Sequence, residues 1–188
     1  MHPRYRRALI PALLLALLVV VLIAALAREV QAADRTGGGS GGERVSTITD
    51  HRVPESSALV MSTRHPNLAY TVNDSGNAPV VYAIEVSTGQ VVGATTLQGY
   101  DLTDVEALAI DRDGTLWVAD IGDNDGVRHD LALYGIDQPG REDQTVEPER
   151  YRLRYSDGSQ NAETLLADPR TGAMYVVSKG FLGGQVYR

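Results

Sequence analysis

Cysteine is absent from all 188 residues. Its absence excludes a disulfide-stapled scaffold, a thiolate zinc site, a cysteine nucleophile and a lipid-modified N-terminal cysteine. Lysine occurs once, at Lys179, so arginine supplies every other basic side chain. Positive charge is also scarce over most of the chain. Residues 1–42 hold five Arg against Glu29 and Asp34, about +3, whereas the remainder holds 12 basic and 22 acidic side chains, near −10. A phosphate-rich partner would need a concentrated basic patch on such a chain. The one arginine-rich stretch alternates Arg150, Arg152 and Arg154 with Tyr151, Leu153 and Tyr155. On an outermost strand this pattern predicts a solvated arginine face and an apolar one, so nucleic acid is not an expected partner. His51, His65 and His129 show no paired ligand spacing and no evident nucleophile.

The N-terminus is basic and then apolar. Arg4, Arg6 and Arg7 precede an uncharged run from Ala8 to Ala27. That order predicts an apolar helix over residues 1–33, acting as a signal peptide cleaved before Ala33 or as a retained transmembrane anchor. Both readings place the following chain outside the cytoplasm, with membrane contact only through this helix. Residues 34–43 form a Gly/Ser-rich linker,. Gly38-Gly39-Ser40-Gly41-Gly42 matches a hydrolase elbow by letter, but no strand precedes it and no helix follows,.

Beyond the linker no helical periodicity persists, and short β-rich runs recur between turn signals. Three stretches match. Glu55-Ser-Ser-Ala-Leu-Val leads to Ala69-Tyr-Thr-Val-Asn73 and then Val81-Tyr-Ala-Ile84. Glu106-Ala-Leu-Ala-Ile leads to Leu116-Trp-Val-Ala-Asp120 and then Leu133-Tyr-Gly-Ile136. Glu163-Thr-Leu-Leu-Ala leads to Met174-Tyr-Val-Val-Ser178 and then Val186-Tyr187. Fourth strands fall at Val91–Leu97 and Tyr151–Tyr155, and turn residues stand at His65-Pro-Asn67, Asp111–Gly114, Ser87–Gln90 and Asp168–Gly172,. The Glu-to-Glu spacings are 51 and 57 residues. Repeats of this length with about four strands each predict an all-β fold, a β-propeller of four-stranded antiparallel blades. Residues 44–188 supply units at about 54–97, 105–155 and 162–188. Three blades do not close a ring, so the expectation is a piece of a longer protein or a ring completed by oligomerisation. Glu43–Thr49 is expected to be an outer strand closing that ring.

VNDSGN (72–77), DVEALAIDRDGTLWVADIGDN (104–124) and NAETLLADPRTGAMYVVSKG (161–180) resemble secreted or anchored bacterial propellers. More distantly, they resemble NHL-type, gluconolactonase-like and esterase-like phytase propellers. The resemblance covers residues 54–188. It implies the fold strongly and an activity weakly, since propellers host many unrelated functions.

Strand alternation predicts one working face. Glu55, Glu106 and Glu163 begin first strands, and Asn73, Asp120 and Ser178 end second strands, so all six are expected at one mouth of a central channel. Loops add Asp74, Asp101, Asp104, Asp123, Asp125 and Lys179. Crowded carboxylates favour a bound cation or raised proton affinities. The ligand or metal candidates are Glu55, Asn73, Asp74, Glu106, Asp120, Asp123, Glu163 and Lys179. Ca²⁺ suits carboxylates plus Asn. The gluconolactonase-like resemblance implies Glu55, Asn73, Glu106 and Asp120 as the metal set, and the third unit departs from it with Ser178-Lys179. The same glutamates could instead hydrogen-bond backbone and hold blades in register. Asp120–Gly126 reads equally as a ligand loop or a turn, whereas Asp111–Gly114 reads as a turn. Tyr70, Trp117 and Tyr175 read as packing residues. Three functions follow as expectations: a domain binding a small ligand, cation or protein partner at the acidic mouth; a Ca²⁺-dependent hydrolase of lactonase or phytase type; or a structural protein-interaction propeller of the cell envelope.

Overall fold

The computed structural model describes residues 42–180 and 183–188. The apolar helix expected within residues 1–33 and most of the linker lie outside the described residues. Every regular element among the described residues is a strand, and none is a helix long and apolar enough to cross a membrane. The first sheet contains β1 (Ser56–Met61), β2 (Leu68–Asn73), β3 (Val80–Glu85) and β4 (Gln90–Leu97). The second contains β5 (Val105–Ile110), β6 (Thr115–Asp120), β7 (Ala132–Asp137) and β9 (Glu149–Arg152). The third contains β10 (Ala162–Ala167), β11 (Met174–Ser178) and β12 (Val186–Tyr187). Consecutive strands within each sheet pair antiparallel.

The reversals fall where the turn residues stand. Asn67 adopts a φ of 62° before β2, a conformation that Asn tolerates better than most residues,. Gly89, at φ 74°, turns β3 into β4, and the Thr47 backbone occupies the space a Cβ would fill there. Asp111 organises the β5–β6 turn: Oδ1 accepts from the amides of Asp113 and Thr115, and Oδ2 accepts from Trp117 Nε1 at 2.8 Å.

The middle sheet is buried on both faces. On one face Val105, Leu108, Leu116, Val118, Tyr134 and Ile136 pack with first-sheet residues including Leu68, Tyr70, Val81 and Leu97. On the other, Ala107, Ala109, Ala119 and Leu133 pack with Ala162, Leu165 and Val176 of the third sheet. Alternation along the strand sends neighbouring residues to opposite cores, which explains why β5–β7 read as nearly unbroken apolar runs. The first strands lie together, with β5 packed between β1 and β10.

Four features differ from the sequence expectations. Glu43–Thr49 forms no strand; it runs in irregular conformation beside the β3–β4 turn. The fourth strand of the second sheet is Glu149–Arg152, not Tyr151–Tyr155. The arginines beside it are not uniformly solvated, because Arg150 lies over the rings of Tyr100 and Tyr134, 5.3 and 5.8 Å from their centroids. Most consequentially, β8 (Gln144–Val146) leaves the second sheet and pairs parallel with β4 on the outer edge of the first. Residues 138–147 thus form a strap between the two sheets. Buried Gln138 anchors it, accepting from Ser62 Oγ at 2.8 Å and the Thr63 amide at 2.9 Å while donating to Gly114 O at 2.8 Å. Tyr70 Oη donates to Pro139 O at 2.8 Å.

Candidate functional site

Each first strand is interrupted by a bulge at the same place. The register shifts between Ser56 and Ala58, between Val105 and Ala107, and between Ala162 and Thr164. The extra residues are therefore Ser57, Glu106 and Glu163. A bulge re-aims its side chain relative to the regular pleat. Ser57 Oγ donates to Glu106 Oε2 at 3.4 Å, so the first two bulges meet. This register corrects the repeat as read from sequence. Ser57, not Glu55, is equivalent to Glu106 and Glu163, while Glu55 shares its position with Asp104 and Asn161. Ala58-Leu59-Val60-Met61 then matches Ala107-Leu108-Ala109-Ile110. An alignment by apolar positions rather than by glutamates would have found it.

The sequence candidates separate into three groups, with Glu55 standing apart from them. Asn73, Asp120 and Asp123 are buried and engaged with the protein itself. Asn73 donates to Arg52 O at 2.8 Å and accepts from the Glu55 amide at 3.4 Å. Asp120 accepts from the amides of Thr103 and Asp104 and from Arg128 Nη1 at 2.8 Å. Asp123 closes its own loop by accepting from the amides of Val127 and Arg128. Glu163 and Lys179 form an ion pair at 3.0 Å, joined by Asn161 Nδ2 at 3.4 Å from Glu163 Oε1. Glu55 is exposed, with Asn77 Nδ2 at 3.4 Å from its Oε2.

Asp74 and Glu106 belong to the third group, together with Asp104. Carboxylate oxygens of Asp74, Asp104 and Glu106 lie within 4.8 Å of one another. Asp74 is exposed, Glu106 half-buried and Asp104 only 7% exposed. Burial, then the Asp74 charge, pushes the Asp104 carboxyl up from its ordinary range against the pull of Arg128,. Burial, then the charges of Glu163, Asp104 and Asp74, pushes Glu106 up to about 7. Asp104 Oδ1 is buried with no hydrogen-bond partner among the described residues. An unpaired buried carboxylate oxygen is costly unless a proton or cation satisfies it.

Gly122 makes this cluster possible. A Cβ there would overlap the Asp104 carboxylate and stand 2.9 Å from Glu106 Oε1. Asn124 Nδ2 is 3.5 Å from Asp104 Oδ2, and Asn161 holds the loop by accepting from the Asp123 amide at 2.8 Å. From sequence Asp104 reads only as a loop acid and Gly122 only as one of two glycines in the Asp120–Gly126 loop, while Asn161 and Arg128 carry no signal. The glycine inside Asp120-Ile-Gly-Asp-Asn124 was the available signal. No protein-family model matches this chain, and no curated protein matches it in sequence.

Proposed function

We propose that this chain is an extracytoplasmic β-propeller-type domain that binds a hard divalent cation of the Ca²⁺ class through Asp74, Asp104 and Glu106. The observation that carries the cation reading is the buried, unpartnered Oδ1 of Asp104 among three carboxylates within 4.8 Å. All donors in the cluster are oxygens, which suits Ca²⁺ better than a metal preferring nitrogen or sulfur. Lys179 neutralises Glu163 at the third sheet, so the uncompensated charge belongs to the first two. Three successive antiparallel sheets with neighbouring first strands and a repeated bulge support the propeller reading,. The basic-then-apolar N-terminal sequence supports export or anchoring,.

A second reading, Ca²⁺-dependent hydrolysis, keeps Asp74 and Asp104 as ligands and leaves the half-buried Glu106 carboxylate, ionised beside the cation, as a general base,. A bound Ca²⁺ would supply electrostatic stabilisation of a negatively charged oxygen. Thermal melting of the full chain distinguishes these ideas from a purely structural propeller. Calcium at about 100 times its Kd should stabilise the fold by about 2.7 kcal/mol, and Asp104→Asn should abolish the shift while remaining folded. An unchanged melting temperature in calcium would refute both cation-based readings.

A further inference from the structure

Arg128 lies in the wall of a separate open cavity of about 380 Å³ between the β6–β7 loop and the chain leading into β10. Its guanidinium is only partly used. Nε donates to Asp130 at 3.0 Å, and Nη1 donates to Asp120 at 2.8 Å and to Gly122 O at 2.7 Å. Nη2 is buried and has no hydrogen-bond partner among the described residues. Tyr155 lines the same cavity, and its Oη is likewise buried without a partner. Two unpaired buried polar groups in one wall are unusual in a folded protein and ask for an acceptor. The remaining wall supplies His129 and Arg154 on the polar side and Leu131 and Leu153 on the apolar side, with no Asp or Glu among the described lining residues.

We propose that this cavity binds a small organic carboxylate, its oxygens accepting from Arg128 and Tyr155 beside Arg154 and its apolar body lying against Leu131 and Leu153. The chemistry favours a monoanion. Acidic residues outnumber basic ones over the chain, 24 against 17, so a dianion meets a less favourable field,. Burial pushes the Tyr155 hydroxyl up to about 12, with the nearby Tyr187 and Asp123 adding to it, so it remains a donor at neutral pH. The proposal does not depend on the cation reading, and chelator in every sample keeps the two separable.

Benzoate is the probe, titrated into the full 188-residue chain at constant ionic strength, with benzamide as its neutral counterpart and inorganic phosphate as the competing anion. Amide NMR signals of Gly158 and Ser159, both in the wall, report binding. Saturable shifts are expected with benzoate, with affinity roughly tenfold above that for benzamide, as befits one charge-assisted hydrogen bond. Arg154→Gln and Tyr155→Phe should each weaken benzoate several-fold, while Leu59→Ala, on an exposed face of the first sheet, leaves it unchanged. Equal binding of benzoate and benzamide, or no binding of either, overturns the proposal and assigns the two donors to ordered water. Tighter binding of phosphate than of benzoate overturns the carboxylate assignment.

Discussion

The second and third sheets place the same residue at the same bulge and give it opposite surroundings. Glu163 meets Lys179, the single lysine of the chain, at 3.0 Å. Glu106 meets carboxylates instead, and its one side-chain hydrogen bond among the described residues is the 3.4 Å contact from Ser57. Sequence equivalence therefore does not carry chemical equivalence. What differs is the residue after each second strand, Ile121 against Lys179, and the residue two before each bulge, Asp104 against Asn161. The sheets differ in packing as well, because the second is covered on both faces by neighbouring sheets.

The packing contrast yields the largest expected effect. Leu59, Leu108 and Leu165 occupy equivalent positions, yet Leu59 is 65% exposed while the other two are buried. Leu108→Ala and Leu165→Ala should each cost about 2–5 kcal/mol in urea unfolding. Leu59→Ala should stay within about 0.5 kcal/mol. Comparable losses at all three positions would break the distinction between covered and uncovered faces. Gly122→Ala comes next. Forcing a methyl against Asp104 and Glu106 should cost about 1–3 kcal/mol and eliminate the calcium-dependent melting shift, an outcome checked by calorimetry with and without chelator.

A pH-dependent effect sharpens the contrast between the two glutamates. Glu106 has its affinity for protons raised on folding, from 4.5 to about 7. Between those values the folded state holds more of the proton than the unfolded state, so this group's contribution should make stability fall as pH rises from about 5 to 7. Glu106→Gln should remove that contribution. Glu163→Gln should weaken it, because the Glu163 charge is one of the causes of the shift. Urea midpoints measured across this range test both expectations. A pH profile unchanged by Glu106→Gln would contradict the desolvated-acid account.

Much of the sheet architecture was legible because local chemistry and tertiary structure agree. Turn residues at Asn67, Asp111–Gly114 and Gly89 stand where strands reverse, and apolar runs became buried strands. Charge is a poor marker of position here: alignment by carboxylates puts Glu55 two residues away from the bulge that the backbone register defines. Asp120 and Asn73 looked available as ligands because a sequence does not reveal which carboxylates and amides the backbone will consume. Asp104 looked incidental because its burial depends on Gly122, Asn124 and a loop held by Asn161. The strand Gln144–Val146 leaves no sequence signal because it is short and its partner lies in another sheet.

That excursion also changes what the outer rim of the first sheet offers to other molecules. With β8 paired along β4, and Asp143 Oδ1 accepting from the Ala94 amide at 2.9 Å, hydrogen-bonding groups that would template a foreign chain are already taken,. The same covering links the unfolding of two sheets, since β4 cannot shed its neighbour without disturbing Gln138 and the turns it ties together. Protection from aggregation and cooperative unfolding thus have a common origin in one short detour of the chain.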